Sequence, residues 1–376
     1  MFDHMTNGNT ERETLLRTKI AAVNPADREA MVRAEKRQAE LAKPPGSLGK
    51  LEDISIRIAG ITGDLHNRME SRRVLVFAAD NGVWEEGVSS APQSVTMAQT
   101  VNLTRGLTGC GTLCRHFGVD LEVWDVGVKL PYRCEAVIDR RIARGTANLY
   151  REPAMTREQA LCAILTGIEA AEKAKSDGVD ILGIGEMGIG NTTTSAAVLA
   201  VLTGTDAAAV TGRGGGLTDS AFARKMEVID GAIARHRPDP ADPVDVLTKV
   251  GGFDLAAMCG AFLGAAACRI PVVVDGFISV VAALCAVRLC PAAKDYFIPS
   301  HRSYEKGFVL AERELGLEAY LDLGMRLGEG SGCPIAFEVV SAACAVLDRM
   351  ATFEEAEIND DYLAEIRAGD SFTVTT

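Results

Sequence analysis

A glutamate between two glycines is the strongest candidate for chemistry in this chain. Glu329 lies in the segment LGEGSG at residues 327–332, between an apolar stretch and a helix-like run that starts at Pro334. Glycine neighbours shield an acid poorly and let its backbone come close to a ligand. The segment therefore predicts a general base presented to a cleft. Taken alone, a Gly-Glu-Gly triplet also suits a solvated loop acid beside a helix N-terminus.

A second glycine-rich segment, GEMGIGNTTT at residues 185–194, follows a predicted strand and opens a predicted helix. Glycines expose backbone N–H groups there, and the helix N-terminus adds partial positive charge, so the segment suits a phosphate. It lacks the Gly-Lys-Ser/Thr ending of a P-loop, and Glu186 interrupts a dinucleotide fingerprint. The alternative is a tight turn in which Asn191 or Thr192 caps the helix.

A third glycine-rich loop, TGRGGGLTD at residues 211–219, comes shortly before Arg224 and Lys225. Cationic side chains beside a glycine loop can complete an anion site, and Arg213 and Lys225 are the candidates here. The pair Arg224-Lys225 within a helical pattern also suits an ordinary charged surface.

Acids and a histidine stand where predicted strands or helices meet loops. Asp80 ends the apolar run RVLVFAAD, and Asp275 follows the apolar run Pro271 to Val274. Ligand groups in parallel sheets lie at the carboxyl ends of strands, so Asp275 is a candidate ribose contact. Asp254 is predicted to cap a long Ala-rich helix. His301 is predicted either to bind substrate or to bond with its own loop.

The overall composition favours an enzyme that acts on a small molecule. The 376 residues are 47% apolar and 24% charged, which suits one large domain with a smaller one. A net charge of −12 disfavours a nucleic-acid partner, because phosphate backbones need a basic surface. Thirty-seven glycines against thirteen prolines favour an α/β protein with many tight turns.

The sequence shows no signal for export or for a metal site. Met1 to Thr10 is polar, without the apolar core of a signal peptide, and charged residues interrupt the long apolar stretch at 255–293. We therefore expect a cytoplasmic protein without a membrane segment. Ten cysteines occur without a CxxC pair, which in a reducing compartment favours buried thiols over disulfides or zinc ligands.

Alternating strands and helices predict the scaffold that positions these groups. Apolar strand-like runs joined by helices and short loops are typical of an α/β fold with a mostly parallel, Rossmann-like sheet flanked by helices. We expect a large α/β domain at 66–329 and a smaller helical domain from both chain ends, 1–65 plus about 330–376. Strands are predicted at Arg73–Asp80, Asp120–Val126, Gly178–Ile184, Pro271–Val274 and Tyr296–Pro299, with Ala319–Leu321 as a further candidate.

The order of these segments resembles that of nicotinate-nucleotide:dimethylbenzimidazole phosphoribosyltransferases, which assemble the lower ligand of cobalamin. The similarity runs from about residue 40 to 350. The blocks that carry it are KPPGSLG at 43–49, ADNGV at 79–83, PQSVT at 92–96, DVG at 125–127, GEMGIGNTTT at 185–194, TGRGGG at 211–216, GGFD at 251–254, DGF at 275–277, SH at 300–301 and GEG at 328–330.

The resemblance implies transfer of phosphoribosyl from nicotinate mononucleotide to 5,6-dimethylbenzimidazole or a related base, giving an α-riboside 5'-phosphate and nicotinate. It implies that Glu329 takes the proton of the base and that Glu186 stabilises positive charge on the ribose. It implies no cofactor, no metal and a homodimer. The nucleotide and its phosphate are expected at Gly188, Gly190, Asn191, Thr192, Lys225, Arg213 and Asp275, and the base at Ser89, Ser90, Gln93, Ala98 and Leu327.

Some positions depart from the family pattern near the expected base site. Ala91 stands where a tyrosine commonly precedes the Pro-Gln pair, and Ala98 stands where a glutamine is common. A purine, or a phenol joined through oxygen, is therefore an alternative acceptor. Two further alternatives are a non-catalytic nucleotide-binding homologue and a dinucleotide-dependent oxidoreductase, which the incomplete fingerprint disfavours.

Overall fold

The computed structural model describes residues 2–364, and these divide into two compact units. The larger unit holds residues 2–24 and 71–336, and the second holds residues 25–70 and the described residues from 337 onward. Residues 2–24, which we assigned to the small domain, thus belong to the larger unit. The predicted small domain beyond residue 364 lies outside the described residues, and separate domains stay a prediction.

A six-stranded sheet forms the centre of the larger unit. Its strands are β1 (Arg72–Ala79), β2 (Asp120–Gly127), β3 (Val137–Asp139), β4 (Ile181–Met187), β5 (Val272–Val274) and β6 (Phe297–Pro299). All neighbours pair in parallel, in the order β3-β2-β1-β4-β5-β6. The order reverses between β1 and β4, and doubly wound sheets bind ligands outside the carboxyl ends at such a point. The predicted parallel sheet is confirmed.

Three details of the strands differ from the prediction. The short strand β3 was not predicted, because three residues carry too little pattern to be recognised. Leu321 forms only an isolated bridge with His301, so the candidate strand at 319–321 is wrong. Strand β4 continues to Met187, which places Glu186 on the strand and not in the following loop.

The helices follow the expected alternation with the strands. They are α1 (Phe2–Ala21), α2 (Arg28–Glu40), α3 (Lys50–Thr62), α4 (Ser94–Thr104), α5 (Gly109–Phe117), α6 (Arg157–Ser176), α7 (Asn191–Thr203), α8 (Ala207–Val210), α9 (Asp219–His236), α10 (Pro243–Val250), α11 (Phe253–Ala267), α12 (Phe277–Leu289), α13 (Phe308–Leu315) and α14 (Cys333–Arg349). Short 3₁₀ helices occur at Gly82–Glu86, Pro291–Tyr296 and Asp361–Leu363. Among the described helices, none is both long and apolar enough to span a membrane.

Close helix packing stabilises the layer beside the sheet. A Cβ atom on Gly167 of α6 would lie 1.8 Å from the carbonyl oxygen of Ala257 of α11. A Cβ on Gly260 of α11 would lie 1.8 Å from the carbonyl oxygen of Ile164. Glycine at both positions therefore lets the two backbones touch. Most of α11 is buried, which explains its run of alanine and other small residues.

The second unit contains α2, α3 and the loop that joins them. Ala34 and Ala59 pack together with Leu347 in its core. The joining loop carries the KPPGSLG segment, and its Lys43 forms an ion pair of 2.7 Å with Glu52.

Candidate active site

A cavity of about 300 Å³ lies at the carboxyl ends of β4, β5 and β6. Its walls come from the loop after β1, from the end of β4 with the start of α7, and from the residues that follow β5 and β6. This is the position that parallel strands give to a ligand site. The lining residues are Ser89 to Ala91, Gly185 to Thr192, Gly214, Gly215, Met258, Asp275 to Ser279, His301, Ser303, Glu305 and Arg326 to Gly328.

Glu329 occupies an unusual backbone conformation beside this cavity. Its φ angle is 63°, and those of Gly328 and Gly330 are 82° and 80°. A left-handed glutamate costs about 1 kcal/mol or more, so other contacts must hold it. The side chain is only 3% exposed, which excludes a solvated loop acid. Gly328 and Leu327 line the cavity, and Glu329 follows them in the chain.

Two acids at the strand ends hold the backbone around Glu329. Glu186 accepts a hydrogen bond of 3.3 Å from the main-chain N–H of Glu329. Asp275 accepts one of 2.7 Å from the N–H of Gly332. A Cβ atom on Gly185 would lie 2.5 Å from the carbonyl oxygen of Glu329, so only glycine fits beneath this loop. Asp275 lines the cavity as expected for a nucleotide contact, but its carboxylate also binds the glutamate loop.

Glu186 and Asp254 form a buried acidic pair. Burial, and then the nearby Asp254, raise the pKa of Glu186 to about 8, and burial raises the pKa of Asp254 to about 6. The side-chain N–H groups of Asn191 donate to Glu186 and, at 3.1 Å, to Asp254. Glu186 therefore ionises at a higher pH than an ordinary glutamate. Asp254 lies inside α11 and is not its N-cap, which is Gly252, so that prediction was wrong.

The start of α7 and a buried lysine converge at one end of the cavity. Gly190, with φ of 99°, precedes the helix, and the N–H groups of its first turn follow. The ammonium of Lys225 is buried and donates to the hydroxyl of Thr192 at 2.8 Å and to the carbonyl of Gly212 at 3.2 Å. Burial lowers the pKa of Lys225 to about 8. This end therefore offers an anion both a helix dipole and a cation.

Arg213 does not join this anion site. Its guanidinium forms an ion pair of 2.6 Å with Asp219 and stacks over the ring of Phe222, 4.8 Å from the ring centroid. Neither Arg213 nor Lys225 is part of the cavity wall, but Lys225 donates to Thr192, which lines the cavity, whereas Arg213 donates to Asp219 outside it. The prediction that Arg213 binds the nucleotide therefore lacks support in this arrangement, and Lys225 supplies the buried cation.

The residues expected at the base are only partly in the cavity wall. Ser89, Ser90 and Leu327, which we expected at the base, line the cavity. Gln93 and Ala98 do not, and Ala98 is exposed on α4. Sequence reasoning missed Met258, Phe277 and Ile278, which also line it. Nothing in a single sequence distinguishes these three from ordinary core residues of apolar helices.

His301 also lines the cavity. Its Nδ1 is 3.0 Å from the hydroxyl of Ser300 and 3.7 Å from a carboxylate oxygen of Asp275. The histidine is 1% exposed, so both of the predicted roles, a bond within its own loop and a place at the substrate, are compatible with its position. Asp80 is fully buried, accepts the N–H of Lys129 at 2.8 Å and lies outside the cavity wall.

Comparisons with known proteins give a consistent result. A family model described as phosphoribosyltransferase matches residues 23–358. A nicotinate-nucleotide–dimethylbenzimidazole phosphoribosyltransferase of Clostridium perfringens is 50% identical over 360 residues, covering 96% of this chain and 100% of that relative. A relative of the same name from Chloroflexus aggregans is 48% identical over 349 residues, covering 92% of this chain and 99% of its own length.

A solved structure agrees in fold as well as in sequence. The crystal structure of the Thermus thermophilus protein of that name matches with a TM-score of 0.84 and 37% identity, over 89% of this chain and 99% of the other. The chain therefore belongs to the nicotinate-nucleotide–dimethylbenzimidazole phosphoribosyltransferase family.

Proposed function

We propose that the cavity binds nicotinate mononucleotide together with an aromatic base and transfers the phosphoribosyl group between them. The observation that carries this proposal is the arrangement of three elements along one cavity. Lys225 and the start of α7 form an anion site, Glu186 lies on the wall beyond it, and the loop of Glu329 follows. A 5'-phosphate at the first element would place the ribose near Glu186 and the base near Leu327.

The chemistry begins with loss of nicotinate from C1' of the ribose. The pyridine nitrogen of the nucleotide is already cationic, so the C–N bond breaks without prior protonation of the leaving group. Positive charge then develops on the ribose. Burial and Asp254 raise the pKa of Glu186, whereas a neighbouring cation lowers it by favouring the ionised form, so the carboxylate of Glu186 stabilises the transition state by electrostatic attraction.

The incoming base completes the transfer from the face opposite the leaving group. A ring nitrogen attacks C1', and Glu329 accepts the proton from the other ring nitrogen, which yields the α-riboside 5'-phosphate. General-base catalysis of this kind contributes a factor of about 100 to 10,000. The buried acid argues against a non-catalytic nucleotide-binding protein, because binding alone gives no reason to hold a strained carboxylate beside the cavity.

The acceptor named for the relatives is dimethylbenzimidazole. Leu327 is 59% exposed and lines the cavity next to Glu329, so it gives the base an apolar contact that suits a methylated aromatic ring. Ala91 also lines the cavity, where it occupies less volume than the tyrosine common in the family, so a purine or a phenol stays an alternative acceptor. Purified protein, nicotinate mononucleotide and a panel of these bases separate the possibilities by product analysis.

The central experiment replaces Glu329 with glutamine, which keeps the size of the side chain and removes the proton acceptor. We expect kcat to fall by about 100-fold or more while the affinity for nicotinate mononucleotide stays within about threefold. Turnover at the wild-type rate would remove Glu329 from the mechanism. Lys225→Ala provides the matched contrast, because it should weaken nucleotide affinity.

We further propose a homodimer that acts in the cytoplasm. The family resemblance supports the homodimer, and ten free cysteines are typical of a protein in a reducing compartment. Analytical ultracentrifugation of the purified protein tests the assembly, and a monomer at micromolar concentration would contradict it.

A further inference from the structure

The N-terminal turn of α5 contacts the side chain of Glu329. The hydroxyl of Thr108 caps this nine-residue helix by accepting the N–H of Gly111 at 3.1 Å. The N–H of Cys110, in the same turn, donates instead to Oε2 of Glu329 at 3.0 Å. The first N–H groups of a helix have no partner within the helix and carry its positive dipole. A carboxylate from a loop 219 residues away thus occupies this position.

The turn is shaped to let the loop approach. A Cβ atom on Gly109 would lie 2.3 Å from Cδ2 of Leu327 and 3.6 Å from Oε2 of Glu329. Leu327 is 59% exposed and lines the cavity, so it can rotate away from a small addition. The absence of a side chain on Gly109 therefore lets Leu327 lie against α5, directly beside the carboxylate of Glu329.

Both ends of Glu329 are consequently fixed by other parts of the fold. Its main-chain N–H is bound to Glu186, and its Oε2 is bound to the N–H of Cys110. Oε1 accepts no hydrogen bond from a described residue. A carboxylate held by one oxygen on a rigid helix presents its second oxygen in a defined direction, which is what proton transfer to a positioned base requires.

We propose that the backbone N–H of Cys110 is a positioning group for the general base, holding Oε2 of Glu329 so that Oε1 receives the proton of the incoming base. This inference rests on the proposed function and deepens it. The thiol of Cys110 has no part in it, since its sulfur lies 3.8 Å from the sulfur of Cys114 in a buried contact. The residue acts through its main chain.

Two substitutions at one position isolate the N–H group. Cys110→Pro and Cys110→Ala both remove the thiol, but only proline removes the N–H, and the first turn of a helix tolerates proline. We expect kcat of Cys110→Pro to be about 10- to 100-fold below that of Cys110→Ala, with KM for nicotinate mononucleotide within about threefold. A merely structural defect would change both constants.

A double-mutant cycle gives the second readout. In a Glu329→Gln background, Cys110→Pro should lower kcat by less than about twofold relative to Cys110→Ala, because there is no longer a base to position. If Cys110→Pro does not fold, as judged by circular dichroism, an amide-to-ester change at position 110 in the Cys110→Ala protein removes the same N–H without restricting the chain.

The outcomes test separately whether Glu329 is the general base and whether the N–H of Cys110 positions it. Equal kcat values for the proline or ester protein and the alanine protein overturn the role of the N–H while leaving Glu329 as the base. An equal loss with and without Glu329 overturns it as well. If Glu329→Gln turns over at the wild-type rate, both the base assignment and the positioning role are overturned.

Discussion

Replacing Glu186 with glutamine is expected to change how the stability of the protein depends on pH. Glu186 is buried at the end of β4, and burial followed by the charge of Asp254 raises its pKa from 4.5 to about 8. The folded protein therefore keeps a proton that the unfolded chain loses between about pH 4.5 and pH 8. Linkage then requires wild-type stability to fall as the pH rises through this window.

The size of the effect follows from the same values. One proton corresponds to about 1.4 kcal/mol per pH unit, so the full window amounts to about 5 kcal/mol at most. The pKa of about 8 already includes the hydrogen bond from Asn191, which favours the ionised form, and the range from about pH 5 to about pH 8 covers most of the window. We expect a change of roughly 2–4 kcal/mol in the stability difference between wild type and Glu186→Gln. The variant has no acid to titrate at this position.

Equilibrium unfolding in urea at several pH values from about 5 to about 8 measures this difference. The free energy of unfolding of the wild type should decline relative to that of Glu186→Gln as the pH rises. Glu354→Gln, at an exposed position of the second unit, is the control and should leave the pH dependence as it is in the wild type. A difference between wild type and Glu186→Gln that is constant over the range would show an ionised Glu186 and refute the reasoning.

Three further predictions concern the phosphate end, the glutamate loop and the helix layer. Affinity for nicotinate mononucleotide should fall above about pH 8, because the pKa of Lys225 is lowered to about 8 and its ammonium loses a proton as the pH rises. Calorimetry on the wild type and on Lys225→Ala tests this. If the affinities of both proteins depend on pH in the same way, the prediction is wrong. Asp275→Ala leaves the N–H of Gly332 without its acceptor, so we expect the free energy of unfolding to fall by about 1–3 kcal/mol and kcat to fall as well. An unaltered kcat would show that the hydrogen bond from Gly332 to Asp275 does not order the loop of Glu329. Gly167→Ala places a methyl group against the carbonyl of Ala257 and should lower the free energy of unfolding in urea by about 2 kcal/mol or more. If the variant is as stable as the wild type, α6 and α11 can move apart to accept the methyl group without loss of stability.

The sheet was predictable because its central strands are buried on both faces. The run from Arg73 to Ala79 is almost continuously apolar, and such runs between helices are characteristic of parallel sheets. Strand β3 has three residues, Val137 to Asp139, and its pairing depends on β2 beside it, which no local pattern encodes. The same limitation applies to residues 2–24, whose helix belongs to the larger unit although their sequence resembles any surface helix.

The site was predictable where a residue needs a particular backbone. Gly185, Gly190 and Gly328 lie where two backbones approach closely or where φ is positive. The glycines in the sequence therefore indicated which loops form the site. The surroundings of Glu329 were not visible, because its contacts with Cys110 and Glu186 join segments more than a hundred residues apart. The burial of an acidic side chain depends on which distant segments pack against it, and a single sequence does not reveal those contacts.

The hydrogen bond between Glu186 and the main chain of Glu329 links two events that are separate in a reaction scheme. A nucleotide that engages Glu186 alters the support of the loop on which the acceptor depends. We therefore expect inhibitors that mimic the acceptor alone to bind with a different affinity when the donor is in place, and titrations with and without nicotinate mononucleotide measure this difference.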